Sequence, residues 1–277
     1  MSRSKNDVAY WKYHNPTLPT CVFIHGFTGS HEGFQYIIPE LKKYHIIVPD
    51  LPGFGESKLG LESFTIDELA NSVNNFIRDL QLKEPPYIIG HSMGGLVVAS
   101  MLAQAPELFN PKAVLVSPVA TKVNYLDSRK IGEFLGRLQF YLGKTVPGAG
   151  PRLVKSRLIS RISTAIILTA NQPKLKKQIR DHHFKNLDYI SSIDFYYQLH
   201  VNINKKGAVD YAPELNKKFT IRIITGDKDN VVPLATEKKL HQALSGSELH
   251  IIRGVGHLLH YERPKEVAEA IREFLSR

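Results

Sequence analysis

The segment Gly90-His91-Ser92-Met93-Gly94 holds a serine at the centre of a Gly-x-Ser-x-Gly pattern. It lies directly after the apolar run Tyr87–Ile89 and opens a nearly all-apolar stretch, Met93 to Ala105, that Pro106 stops. Strand, tight turn and helix form the setting in which such a serine becomes a nucleophile. The turn brings backbone segments so close that side chains at positions 90 and 94 would clash, so both must be glycine. Ser92 is then held in a strained conformation with its hydroxyl above the sheet edge. The helix N-terminus beneath it favours developing negative charge. The pattern alone also occurs as a glycine-rich turn that happens to contain serine; the flanking elements make it specific.

A serine hydroxyl is a poor nucleophile without a base. Gly254-Val255-Gly256-His257 follows the last apolar run and offers His257. Gly226-Asp227-Lys228-Asp229-Asn230-Val231-Val232-Pro233 follows the run before it and offers a carboxylate. The order serine, acid, histidine suits this architecture. His257 would take the Ser92 proton through one ring nitrogen. Asp229 would accept the other N–H and fix the tautomer. Asp227 is the second choice, with turn formation as its ordinary role. An oxyanion hole would draw one backbone N–H from Met93. The other would come from Phe27, in the loop His25-Gly26-Phe27-Thr28-Gly29. Such donors typically supply about 3–4 kcal/mol each of transition-state stabilisation.

Other reactive side chains have plainer readings. His260 is expected in a supporting or surface role. His25 and His91 flank the site in sequence and are expected to hydrogen-bond loop backbone. Asp50 ends a strand and should stabilise the Pro52–Gly55 loop. His182-His183 lacks further ligands at metal-binding spacing, so no metal is expected. No cofactor motif is found. Gly143-Lys144-Thr145 resembles the end of a phosphate-binding loop, but Leu138 stands where that loop needs glycine, and no strand precedes it.

Six short apolar runs must position these residues: Cys21–Ile24, Ile46–Val48, Tyr87–Ile89, Ala113–Val116, Ile221–Ile224 and Leu249–Ile252. Most lack polar alternation, as strands buried on both faces do. Helical patterns fall between them. Thr65-Ile66-Asp67-Glu68 has the form of a capping box, and Ile66, Leu69, Val73, Phe76, Ile77 and Leu80 then mark one helix face. A last helix starts near Pro264 and runs through Val267, Ile271 and Leu275. Alternating strands and helices imply an α/β fold with a mostly parallel central sheet flanked by helices. The alternation breaks from about Val119 to Val209, where the pattern is helical: Ile131, Phe134, Leu135 and Leu138, then Leu153, Leu158, Ile159 and Ile162.

With these motifs in place, the sequence resembles the α/β-hydrolase superfamily, in its serine esterase and lipase branch. The matching segments are His25–Gly29, Pro49–Ser57, Gly90–Gly95, Gly226–Pro233 and Gly254–His257. The resemblance implies a core of residues 1–118 and 210–277 and a variable helical lid, or cap, at 119–209. It maps the acid to Asp229 rather than Asp227. Serine at the elbow, in place of aspartate, argues against the dehalogenase and epoxide-hydrolase branches. The expected reaction is carboxylic-ester hydrolysis, as in carboxylesterases and monoacylglycerol lipases. Alternatives within the family are a C–C bond hydrolase or lyase with the same triad, and an esterase acting on an acyl-carrier-protein-bound substrate. A ligand receptor that keeps a triad is a fourth reading.

Composition bounds the rest. The 277 residues carry a formal charge of +10. Between Ala120 and Val209 there are 16 Lys and Arg against 5 Asp and Glu, so the excess lies almost wholly in the lid. Such a stretch can be a solvated face, can meet an anionic membrane surface, or can dock an acidic carrier protein. No groove-reading motif appears, so nucleic acid is not an expected partner; the expected ligand is a small-molecule ester. Cys21 is the only cysteine, which rules out an intramolecular disulfide. No signal peptide is visible and no run of about 18 apolar residues exists, so a cytoplasmic location is expected.

Overall fold

The computed structural model describes residues 1–122, 131–146 and 148–277, and of residues 131–137 the backbone. Eight strands form one sheet: β1 (Ser2–Arg3), β2 (Ala9–Tyr13), β3 (Thr20–Ile24), β4 (His45–Pro49), β5 (Tyr87–His91), β6 (Lys112–Val116), β7 (Thr220–Gly226) and β8 (Glu248–Ile252). Their spatial order is β1-β2-β4-β3-β5-β6-β7-β8. Pairing is parallel from β4 to β8 and antiparallel at the β1–β2–β4 edge. The six apolar runs all lie in this sheet. The two antiparallel strands, β1 and β2, do not read as apolar runs: β1 is two exposed residues, and Ala9–Tyr13 mixes Lys12 with aromatics and is only partly buried.

Register places the chemistry at one rim. Ile24 pairs with Gly90, His91 with Val116, Val116 with Ile224, and Gly226 with Ile252. The carboxyl ends of β3, β5, β7 and β8 therefore finish side by side, and their loops share an edge.

Helices cover both faces. α1 (Ile66–Asp79) begins at Thr65, whose hydroxyl accepts the Glu68 N–H at 3.1 Å. This satisfies a first-turn donor that the helix itself cannot. α2 (Met93–Gln104) is buried from Met93 through Leu102. After β6 come α3 (Ile131–Thr145), α4 (Gly150–Val154), α5 (Arg157–Ile167), α6 (Pro173–Asp188), α7 (Ile193–Ile203) and α8 (Ala212–Leu215). After β7 come α9 (Leu234–Ala243), α10 (Leu259–Glu262) and α11 (Pro264–Leu275). One core cluster joins α1 and α2 to the sheet; a second packs α11 on its other face.

The chain leaves and rejoins the sheet layer at one point. The amides of Ala208 and Val209 donate to the carbonyls of Val119 and Ala120 at 2.8 and 3.0 Å. Gly207 must be small there, since a Cβ would sit 2.3 Å from Thr121 Cα. In the intervening helices, the side chains of Ile131, Phe134 and Leu135 lie outside the described residues. Leu158 and Ile162, expected as apolar positions of a helix, do lie on α5 but face outward.

Candidate active site

Ser92 sits between β5 and α2 with φ 56° and ψ −122°. This is the left-handed side of backbone space, which a non-glycine residue occupies only when its surroundings force it to. The forces are visible. The Ser92 amide donates to Val116 O at 3.0 Å, and its carbonyl accepts from Gly95 and Val119. A Cβ at Gly90 would lie 2.3 Å from Gly94 O, and one at Gly94 would lie 2.2 Å from Ile24 O. The two glycines thus let β5, α2 and the end of β3 crowd together, with Ser92 at the apex.

His257 comes from the loop after β8. Its Nε2 lies 2.9 Å from Ser92 Oγ and its Nδ1 lies 2.9 Å from Asp229 Oδ2. Asp229 is buried, and its other oxygen accepts the amides of Val231 and Val232 at 2.9 and 2.8 Å. Burial works against the charge on Asp229. His257 and the two amides outweigh it and hold the carboxyl below the usual carboxylate range. With Asp229 ionised, His257 is oriented to donate from Nδ1 and to present Nε2 as the acceptor for the serine proton. Asp227 points elsewhere: its carboxylate accepts the Gly254 amide at 2.6 Å and pins the β7 loop to the β8 loop.

The loop after β3 supplies the facing wall. A Cβ at Gly26 would lie 3.1 Å from Ser92 Cβ, so the backbone passes directly beside the serine. Among the described residues, neither the Phe27 nor the Met93 amide donates to a protein acceptor. His25 locks the loop. Its Nε2 accepts the Leu51 amide at 2.9 Å, which obliges Nδ1 to donate to Gly26 O at 2.9 Å. Only a neutral ring can do both, and burial lowers its pKa accordingly. Asp50 accepts from the His31 and Glu56 amides at 2.6 and 2.8 Å, joining the Pro52–Gly55 loop to the β3 loop. A Cβ at Gly55 would strike that carboxylate at 2.0 Å.

Histidines back the site. His91 Nε2 donates to His257 O at 3.1 Å, and its ring lies 3.9 Å from that of His260. Burial, followed by the neighbouring His257, pushes His91 down to about 3, so it stays neutral. His260 is buried rather than superficial, and burial holds its pKa well below the ordinary value. A cavity of about 120 Å³ opens beside Ser92. Ile167, His183 and Asn186 from α5 and α6 line it, together with Leu258 and Tyr261. None of the five was singled out as a site residue: Leu258 and Tyr261 lie just after His257 in the chain, and nothing local marks Ile167, His183 or Asn186, which reach the site from distant helices. Asn186 accepts the Ser30 hydroxyl at 3.1 Å, and His183 Nδ1 lies 2.7 Å from Thr164 Oγ1. Among the described residues no group of His, Cys, Asp and Glu is arranged to hold a metal.

A model of the alpha/beta hydrolase fold family matches residues 19–264. The chain belongs to the α/β-hydrolase family. It is 31% identical over 276 residues to an uncharacterized hydrolase, YugF, of Bacillus subtilis, covering 97% of this chain and 94% of the relative. It is 26% identical over 269 residues to monoacylglycerol lipase abhd6-B of Xenopus laevis, covering 93% of this chain and 75% of that protein. Among solved structures, an esterase from Exiguobacterium antarcticum superposes with a TM-score of 0.81 at 18% identity, over 100% of both chains. Among the described residues, no helix is long and apolar enough to cross a membrane.

Proposed function

We propose that this protein is a serine hydrolase that cleaves carboxylic esters through an acyl-enzyme on Ser92. The observation that carries the reading is the pair of 2.9 Å contacts by which His257 links Ser92 to Asp229 at the shared rim of the sheet. Ser92 Oγ attacks the ester carbonyl carbon while His257 Nε2 takes its proton. The carbonyl oxygen becomes an oxyanion facing the Phe27 and Met93 amides. Collapse of this intermediate breaks the bond to the alkoxy oxygen, and His257 returns the proton to the departing alcohol. A water, deprotonated by the same nitrogen, then attacks the acyl carbon and releases the acid and the Ser92 hydroxyl.

The helices at 119–209 act as a cap over this rim. Their apolar and aromatic side chains suit a medium-chain acyl ester or a monoacylglycerol, in keeping with the lipase named among the relatives. Their cations give the cap a means of meeting an anionic lipid surface or an acidic carrier. The test is turnover of p-nitrophenyl esters of graded chain length and of monoacylglycerols, with labelling by a fluorophosphonate probe. Wild type is expected to turn over and to label at Ser92, and Ser92→Ala to do neither. Absence of both in wild type, with the protein folded, rejects the reading.

A further inference from the structure

The outward face of α5 is apolar where a solvated helix would be polar. Leu158, Ile162 and Ile166 are 66, 52 and 46% exposed. They recur every four residues, so they form one stripe along the helix. Exposed Arg161 lies to one side of that stripe, and exposed Arg157, whose guanidinium sits over the Phe184 ring of α6, stands at the start of the helix. Exposed Arg152 and Lys155 precede the helix, and exposed Lys174, Lys176 and Lys177 follow on α6, which packs against α5. The opposite face is the polar one: Thr164 is buried there and bonds His183. Scattered exposed apolar residues are ordinary on a protein surface. A continuous row of branched aliphatic side chains rimmed by cations is not, and it is the pattern of a helix that lies in a lipid interface.

The same helix ends at the active site. Ile167 lines the cavity beside Ser92. The Ile166 carbonyl accepts from Asn230 Nδ2 at 2.6 Å, one residue beyond Asp229. Thr169 accepts the Gly256 amide at 3.0 Å, one residue before His257, and donates to Glu262 at 2.6 Å. The C-terminal end of α5 is thus fastened to the loops that carry both the acid and the base.

From this juxtaposition we infer that α5 docks the protein on an anionic phospholipid bilayer, with Leu158, Ile162 and Ile166 entering the headgroup and acyl boundary. The flanking Arg and Lys side chains then engage lipid phosphates. An acidic protein would complement the cations but would give the aliphatic row nothing to displace water with; a bilayer matches both. Docking in this pose sets the α5 end of the cavity against the surface, where a poorly soluble acyl ester resides. Only that last consequence rests on the ester-hydrolysis reading; the docking itself does not.

The experiment is co-sedimentation of the full chain with equimolar phosphatidylglycerol–phosphatidylcholine vesicles and with pure phosphatidylcholine vesicles. The variants are Leu158→Ser/Ile162→Ser and Arg157→Gln/Arg161→Gln. Wild type is expected to bind the anionic vesicles about tenfold more tightly than the neutral ones. Raising the salt from about 0.1 M to about 0.5 M should reduce that preference. The serine pair should lose about tenfold or more in affinity, and the glutamine pair should lose most of the preference for anionic lipid. Turnover of soluble p-nitrophenyl butyrate by the serine pair should stay within about twofold of wild type, since those side chains touch no part of the site.

Equal wild-type binding to both vesicle types, or to neither, overturns the proposal. So does unchanged binding by the serine pair, which would mean that cations alone act, as in docking to an acidic protein. Loss of soluble-ester turnover together with binding would assign α5 a structural role and likewise overturn it. Vesicle binding by a wild type that hydrolyses no ester would sink the proposed reaction and leave the docking intact.

Discussion

Replacing Gly94 by alanine tests how the elbow works. The added Cβ would lie 2.2 Å from Ile24 O and 2.5 Å from His25 O, both backbone atoms. An ordinary contact begins near 3.4 Å, so the end of β3 or the start of α2 must move by about 1.2 Å. Neither movement is neutral. The first carries Gly26 and Phe27 away from Ser92; the second displaces the Met93 amide. Misplacement by about 1 Å costs about 10²-fold in rate, and loss of one oxyanion donor costs about 10²–10³-fold. Overpacking destabilises by about 1–3 kcal/mol. Gly94→Ala is therefore expected to lower kcat on p-nitrophenyl butyrate by about 10²-fold or more, with KM changed less. The loss should appear in kcat and kcat/KM alike, since the donors act on the transition state. Thermal unfolding measured alongside separates misplacement from unfolding. A folded Gly94→Ala whose kcat stays within threefold of wild type would refute the claim that this crowding sets the oxyanion geometry.

Two further predictions use the carboxylates. Asp229→Asn should cost on the order of 10⁴ in kcat, because the amide favours the wrong His257 tautomer. Asp227→Asn should leave kcat nearly unchanged, and the reverse ranking in steady-state kinetics would move the acid to Asp227. Glu237 on α9 is wholly buried, and neither carboxylate oxygen has a partner among the described residues. Burial, then the Asp229 charge, raises its pKa well above the ordinary value. A raised acid takes up a proton on folding, so its contribution to stability falls as pH rises above about 4.5, its unfolded value. Glu237→Gln should therefore unfold at higher denaturant than wild type at pH 7, with the gap shrinking toward pH 4. A gap that widens toward acid would contradict this.

The parallel sheet and the turn that carries Ser92 were legible from local chemistry, whereas Asp229 was set above Asp227 by the family resemblance. An unbroken apolar run marks a strand buried on both faces, and Gly-x-Ser-x-Gly needs only its own neighbours to be understood. The β2 strand was missed because it is only partly buried, and Lys12 breaks the apolar run that would have marked it. Glu237 escaped notice for a different reason. A glutamate in Thr-Glu-Lys-Lys reads as a solvent-facing helix residue, and only the packing of α9 on the sheet buries it. Leu158 and Ile162 lie on a helix as their spacing suggests, but helical periodicity finds an apolar face without saying whether protein covers it. Ile167, His183 and Asn186 reach the cavity from helices more than 70 residues beyond Ser92 in the chain, a distance no local pattern spans.

The two strand-like hydrogen bonds between 119–120 and 208–209 make a closed neck, through which about ninety residues are threaded at almost no cost to the layer below. The sheet can therefore hold Ser92 in place whatever follows above that neck, but the helices there still touch the loops of Asp229 and His257 through Ile166 and Thr169. A graft of these helices between relatives should accordingly be cut at the two peptide pairs and keep the contacts made by Ile166 and Thr169.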